Sequence, residues 1–162
     1  METKSTRMLG ILPLFDLHTE FYPKVLVGIT DEDAHKRLDT PANHVAWLAG
    51  SLVQQRYDLA GLLKVAATSS ADELFKNFQG IKDGQQYPSL EIFKKDWQQI
   101  TPLLRTALVN VTDEQLDHIL EFPGMKMSLW DLLSFNIYRE ANCIGQIALW
   151  RRLLGYEPMK YM

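Results

Sequence analysis

The sequence predicts an all-α fold, and three observations carry that prediction. Four long segments repeat apolar residues at steps of three and four, the spacing that lines one face of a helix. The last three of them open on residues suited to cap a helix, Thr40, Ser89 and Ser128. No window sustains the apolar/polar alternation of a strand, and β-branched residues never cluster.

In the first segment Ile11, Leu12, Phe15, His18, Tyr22, Val25, Leu26 and Ile29 form the stripe. Pro13 suits its first turn, Pro23 bends it and Gly28 ends it. The second segment has Thr40 as N-cap and Pro41 at the first helical position. Its stripe runs through His44, Leu48, Ser51, Leu52, Gln55, Leu59 and Leu62 to Gly61. The third starts at Ser89 and buries Phe93, Trp97, Ile100, Leu104, Leu108 and Val111, with a kink at Pro102. In the fourth, Ser128 and Asp131 form a capping box, Arg151 and Arg152 suit the negative end of the dipole, and Gly155 closes the helix.

The connections predict topology. Residues 61–88 separate the second and third segments, long enough to cross the whole bundle, so these two helices run parallel and the order is up-down-down-up. "ITDED" (29–33) and "VTDEQ" (111–115) each place a Thr cap before an acidic or amide partner, and each predicts a short connecting helix. A further short helix is expected after Ser70.

The chain has 162 residues, enough for one domain that needs no disulfide or metal to fold. Seventeen Lys and Arg against twenty Asp and Glu leave a net charge of −3, which gives no electrostatic case for nucleic acid. The apolar run near the N-terminus is broken by Pro13 and followed by Asp16 and His18, unlike a secretory signal, and no run reaches membrane-spanning length. With a single cysteine, Cys143, the chain reads as cytoplasmic.

Two stretches carry a resemblance. "REANCIGQIALWRRLLG" (139–155) resembles the HExxHxGQIxxLRRLLG signature of the DinB/YfiT-like superfamily of four-helix-bundle putative metalloenzymes. "NHVAWLAGSLVQQR" (43–56) is similar to that family's N-x-[IV]-x-W-L-x-x-H pattern, and "TDEDAHKRL", "YPSLEIF" and "TDEQLD" match in order. The resemblance implies a DinB/YfiT-like four-helix bundle, a homodimer, and a nickel or zinc ion held by three histidines for metal-dependent hydrolysis or thiol-dependent transfer. In this chain the three ligand positions fall on Ser51, Arg139 and Cys143. Arg139 carries no lone pair to donate and keeps its proton, and a neutral serine hydroxyl is a poor ligand. No metal cofactor is therefore expected, and nickel or zinc enters only in the alternative in which unexpected ligands such as His44 rebuild the site.

What is left at those positions is a cationic pocket. Arg139 is expected to project into the bundle interior, with Asn136, Glu140 and Cys143 as neighbours and His18 and His44 nearby. A buried guanidinium demands a counter-charge, supplied either by a carboxylate of the chain or by a small anionic ligand. Beside Arg139, the Cys143 thiol is either an inert core residue or a nucleophile with lowered pKa. His35 and His118 are expected in solvent, Gly145 at a close helix contact, and the four tryptophans in the core or a dimer interface.

Overall fold

The computed structural model describes residues 2–161. It is mainly helical. Seven α-helices follow in order: α1 (Met8–Leu26), α2 (Asp31–Ala34), α3 (Val45–Leu62), α4 (Asp72–Phe75), α5 (Leu90–Asn110), α6 (Asp113–Leu116) and α7 (Leu129–Leu153). A 3-10 turn, Lys76–Phe78, follows α4, and two short strands, β1 (Ile119–Phe122) and β2 (Met125–Ser128), precede α7.

Most of the predicted caps hold. Ser89 accepts from the Ile92 N–H to start α5, and Ser128 forms its capping box with Asp131 at the head of the 25-residue α7. Thr30 and Thr112 cap the short α2 and α6, and α4 begins soon after Ser70. Gly28 and Gly155, both at positive φ, lie just beyond the ends of α1 and α7, where residues with a Cβ are disfavoured.

The second long helix starts later than the sequence predicts. Arg37 binds the carbonyls of Pro41 and Ala42 at 2.5 and 2.9 Å, while the Thr40 hydroxyl donates back to the Arg37 carbonyl at 2.8 Å. Those carbonyls are taken out of the helical ladder, and His44 becomes the cap, its Nδ1 accepting from the Trp47 N–H at 3.1 Å. Pro13 likewise lies beyond the first turn of α1, which begins at Met8.

The β-hairpin is the clearest departure from an all-α reading. β1 and β2 pair antiparallel with Phe122 opposite Met125, and Gly124 takes positive φ in the turn between them. Leu120 and Phe122 flank Glu121, and Met125 and Met127 flank Lys126, but four-residue strands are too short for that alternation to stand out in sequence.

One core joins the four long helices. α1 and α7 advance together, since His18 meets Glu140 and Val25 meets Arg151. α3 and α7 run in opposite senses, with Trp150 bonded to Asn43, Arg139 to Ser51 and Gln55 to Asn136. α5 opposes α1 through Trp97–Thr19 and Arg105–Asp16. It advances with α3, Phe93 lying against Gly50 and Thr101 bonding Arg56. Among the described residues no helix is long and apolar enough to cross a membrane.

Candidate functional site

The charge at the centre of the core belongs to Arg56, not to Arg139. Arg56 is 1% exposed and follows Leu52 by one helical turn on α3. Its Nε and Nη2 bind the two carboxylate oxygens of Glu140 on α7 at 2.7 and 2.9 Å. Its Nη1 donates to Thr19 on α1 and Thr101 on α5 at 2.9 and 2.8 Å. The rings of Phe15 and Trp97 lie 4.0 and 3.5 Å from the guanidinium carbon and cover its faces. His18 completes the group, its Nδ1 3.2 Å from Glu140 Oε2. Burial alone would raise the Glu140 pKa, but the Arg56 charge and hydrogen bonds, helped by His18, hold it below the ordinary value. All four long helices contribute to this fully bonded cluster, which ties them to one another.

The positions singled out by sequence lie in the seam between α3 and α7. Arg139 is half-buried there. Its Nη1 donates to the Gln55 Oε1 at 2.8 Å and the Ser51 carbonyl at 3.4 Å, and its Nη2 donates to the Ser51 hydroxyl at 3.1 Å. Ser51 is buried and passes its own proton to the Leu48 carbonyl at 2.9 Å. Asn136 is buried one turn before Glu140, and its main-chain carbonyl accepts from Gln55 at 3.1 Å. Among the described residues no carboxylate lies within ion-pair reach of Arg139. The expectation that it projects into the bundle interior is corrected. Residue 140, one position on, turns about 100° around the helix axis and faces the core in its place.

Cys143 is buried on the same face of α7, one turn beyond Arg139. Burial pushes its thiol above the ordinary value, Arg139 pulls it back, and Glu140 adds to the rise, so the net displacement is upward. The low-pKa nucleophile weighed in the sequence reading has no electrostatic support. A hydroxyl already accepting from a guanidinium, the guanidinium itself and a thiol kept protonated do not make a donor set for a divalent cation.

No protein-family model matches the chain, and none of the curated proteins matches it significantly.

The remaining candidates lie elsewhere. His18 belongs to the Arg56–Glu140 cluster. His44 sits at the N-terminus of α3 beside His35, ring centroids 5.2 Å apart, with Tyr87 at 5.4 Å. Burial, the neighbouring His35 and Arg37 lower its pKa to about 4, against the pull of its backbone hydrogen bond. Its Nδ1 is taken by the Trp47 N–H, about two turns along α3 from Ser51, and among the described residues no three His, Cys, Asp or Glu side chains converge in a metal-binding arrangement.

His35 is half-buried, not solvated: its Nδ1 pairs with the Asp31 carbonyl at 2.7 Å and its Nε2 is buried without a partner among the described residues. His118 is exposed as expected. Trp97 and Trp150 are core residues, Trp150 donating to the Asn43 carbonyl at 2.9 Å. Gly145 faces open space, so close packing within the chain does not explain it.

Arg56 was missed as the central charge, although its signal is present. It stands four residues after Leu52 and three before Leu59, on the apolar stripe of α3. Only the fold reveals that Glu140 meets it.

Proposed function

We propose that the chain is a divergent DinB/YfiT-like four-helix bundle, ordered up-down-down-up, that binds a small anionic ligand at Arg139 without a metal. The four pairwise helix directions described above support that order. The order of the sequence motifs supports the family. The binding reading rests on one observation: Arg139 is a half-buried guanidinium in the α3–α7 seam with no carboxylate partner among the described residues. The other buried or half-buried arginines are satisfied within the chain, Arg37 by Asp83 and by the carbonyls of Pro41 and Ala42. Arg56 has Glu140, Arg105 has Asp16, and Arg151 has the carbonyls of Val25, Val27 and Glu157. Trp47, one turn before Ser51 on α3, adds a buried indole N–H with no acceptor among the described residues.

The same reading takes the protein as a cytoplasmic homodimer. The outer face of α7, with Leu149 and Leu153 in solvent around Gly145, is the surface a second copy would use. Light scattering at micromolar concentration tests the dimer. Isothermal titration of tag-free protein with a panel of small anions tests the site, alongside metal analysis of the same sample. Heat from at least one anion, abolished in Arg139→Gln, is expected. Stoichiometric nickel or zinc, lost in Cys143→Ala or His44→Ala, would instead favour the metal-dependent hydrolase or thiol-transferase alternative.

A further inference from the structure

The hydrogen bonds that Arg139 makes identify which of its edges is left for a ligand. A guanidinium has five N–H groups in a rigid plane. The two nitrogens at its end, Nη1 and Nη2, grip Ser51 from both sides, through the main-chain carbonyl at 3.4 Å and the hydroxyl at 3.1 Å. The second Nη1 proton goes to Gln55 at 2.8 Å. The two N–H groups without an acceptor among the described residues are then Nε–H and the Nη2–H beside it. They lie parallel on one edge. The same edge holds carboxylates twice elsewhere in this protein: Arg56 on Glu140 at 2.7 and 2.9 Å, and Arg105 on Asp16 at 2.7 and 2.8 Å. The bonds to Ser51 and Gln55 hold the Arg139 plane in place before a ligand arrives, which lowers the ordering cost of binding.

Charge narrows the ligand further. The one Lys or Arg of α3 is Arg56, already neutralised by Glu140, and α7 carries no base besides Arg139 before Arg151. One fixed positive charge balances one negative charge. A dianion held here would keep an uncompensated charge in a half-buried seam, close to the buried Glu140. Beside Arg139 on α7, one turn back, Phe135 stands in solvent, its ring 6.4 Å from that of Tyr138. Four residues apart, Phe135 and Arg139 share a face of α7, so an exposed aromatic ring stands within one helical turn of the guanidinium.

We infer that Arg139 binds a monocarboxylate with an aromatic or apolar body, its two oxygens accepting from Nε–H and Nη2–H and its body resting against Phe135. This deepens the anion-binding reading and rests on it. The experiment is isothermal titration of the full chain with benzoate, acetate and sulfate at matched ionic strength, repeated on Arg139→Lys and Phe135→Ala. Benzoate is expected to bind more tightly than acetate, and sulfate not to bind. Lys lacks the paired edge, so Arg139→Lys should weaken benzoate by about tenfold or more while circular dichroism shows it folded. Phe135→Ala should weaken benzoate and leave acetate unchanged. Sulfate binding as tightly as benzoate overturns the monocarboxylate and leaves the anion site standing. Unchanged benzoate binding in Arg139→Lys overturns the assignment to this edge. No heat from any of the three with folded protein overturns both readings.

Discussion

Arg56 and Glu140 stand 84 positions apart and meet through two hydrogen bonds of 2.7 and 2.9 Å in the middle of the core. Neither has water to fall back on. Removing one partner leaves the other charged and buried, so Glu140→Gln is expected to cost about 3–5 kcal/mol in urea unfolding. The double change Arg56→Met with Glu140→Leu removes both charges and should be far milder than the sum of the single variants. Additive losses would show that the two residues do not act as a pair.

His44 gives the stability a pH dependence above the carboxylate range. Its pKa is about 4 in the folded chain, against about 6.5 unfolded. Between those values the unfolded state binds more protons, so stability is full above pH 6.5 and is lost as pH falls toward 4. The loss is about 3 kcal/mol across the whole window. Lowered carboxylate pKa values, such as those of Glu140 and Asp16, act only at the acid end, so the change from pH 6.5 to 5 reports His44. His44→Asn keeps a capping side chain and should flatten that part of the profile in denaturant titrations.

Cys143 should behave as an inert core thiol. Burial raises its pKa despite Arg139, so little thiolate forms at neutral pH. Alkylation by iodoacetamide at pH 8 is expected to run at least about tenfold slower in native than in urea-unfolded protein. Equal rates would restore the reactive-thiol reading.

Two glycines predict opposite outcomes for the same change. A Cβ at Gly50 would lie 2.5 Å from Phe75 Cζ and 2.6 Å from Phe93 Cζ, so Gly50→Ala overpacks the junction of α3, α4 and α5. A loss of about 1–3 kcal/mol is expected. At Gly145 a Cβ meets nothing within 4 Å, and Gly145→Ala in mid-helix should stabilise by roughly 0.5–1 kcal/mol in thermal melts. Destabilisation there would place a partner chain against this face of α7.

Local signals made much of the helical content legible. The caps at Ser89 and Ser128 and the short helices after Thr30 and Thr112 appear where the sequence placed them, because a cap is settled within four residues of chain. The start of α3 was misplaced because Arg37, outside the predicted helix, claims the carbonyls of Pro41 and Ala42. The hairpin escaped notice because two four-residue strands give too little alternation to weigh against the surrounding helices.

The positions Ser51, Arg139, Asn136 and Cys143 could be picked out along the chain, and the first three lie together in one seam. Their geometry could not be read there. Periodicity gives the face of a helix to within tens of degrees, and Arg139 and Glu140 are separated by about 100°. Which of the two neighbours enters the core depends on what waits across the bundle. Sequence by itself determined the four long helices and most of their caps, and it placed Ser51, Arg139 and Cys143 along two of them. Tertiary packing decided the rest: it set Arg56 opposite Glu140, so the interior charge is neutralised within the protein. Arg139 is left half-buried, with one edge on Ser51 and the other without a carboxylate among the described residues.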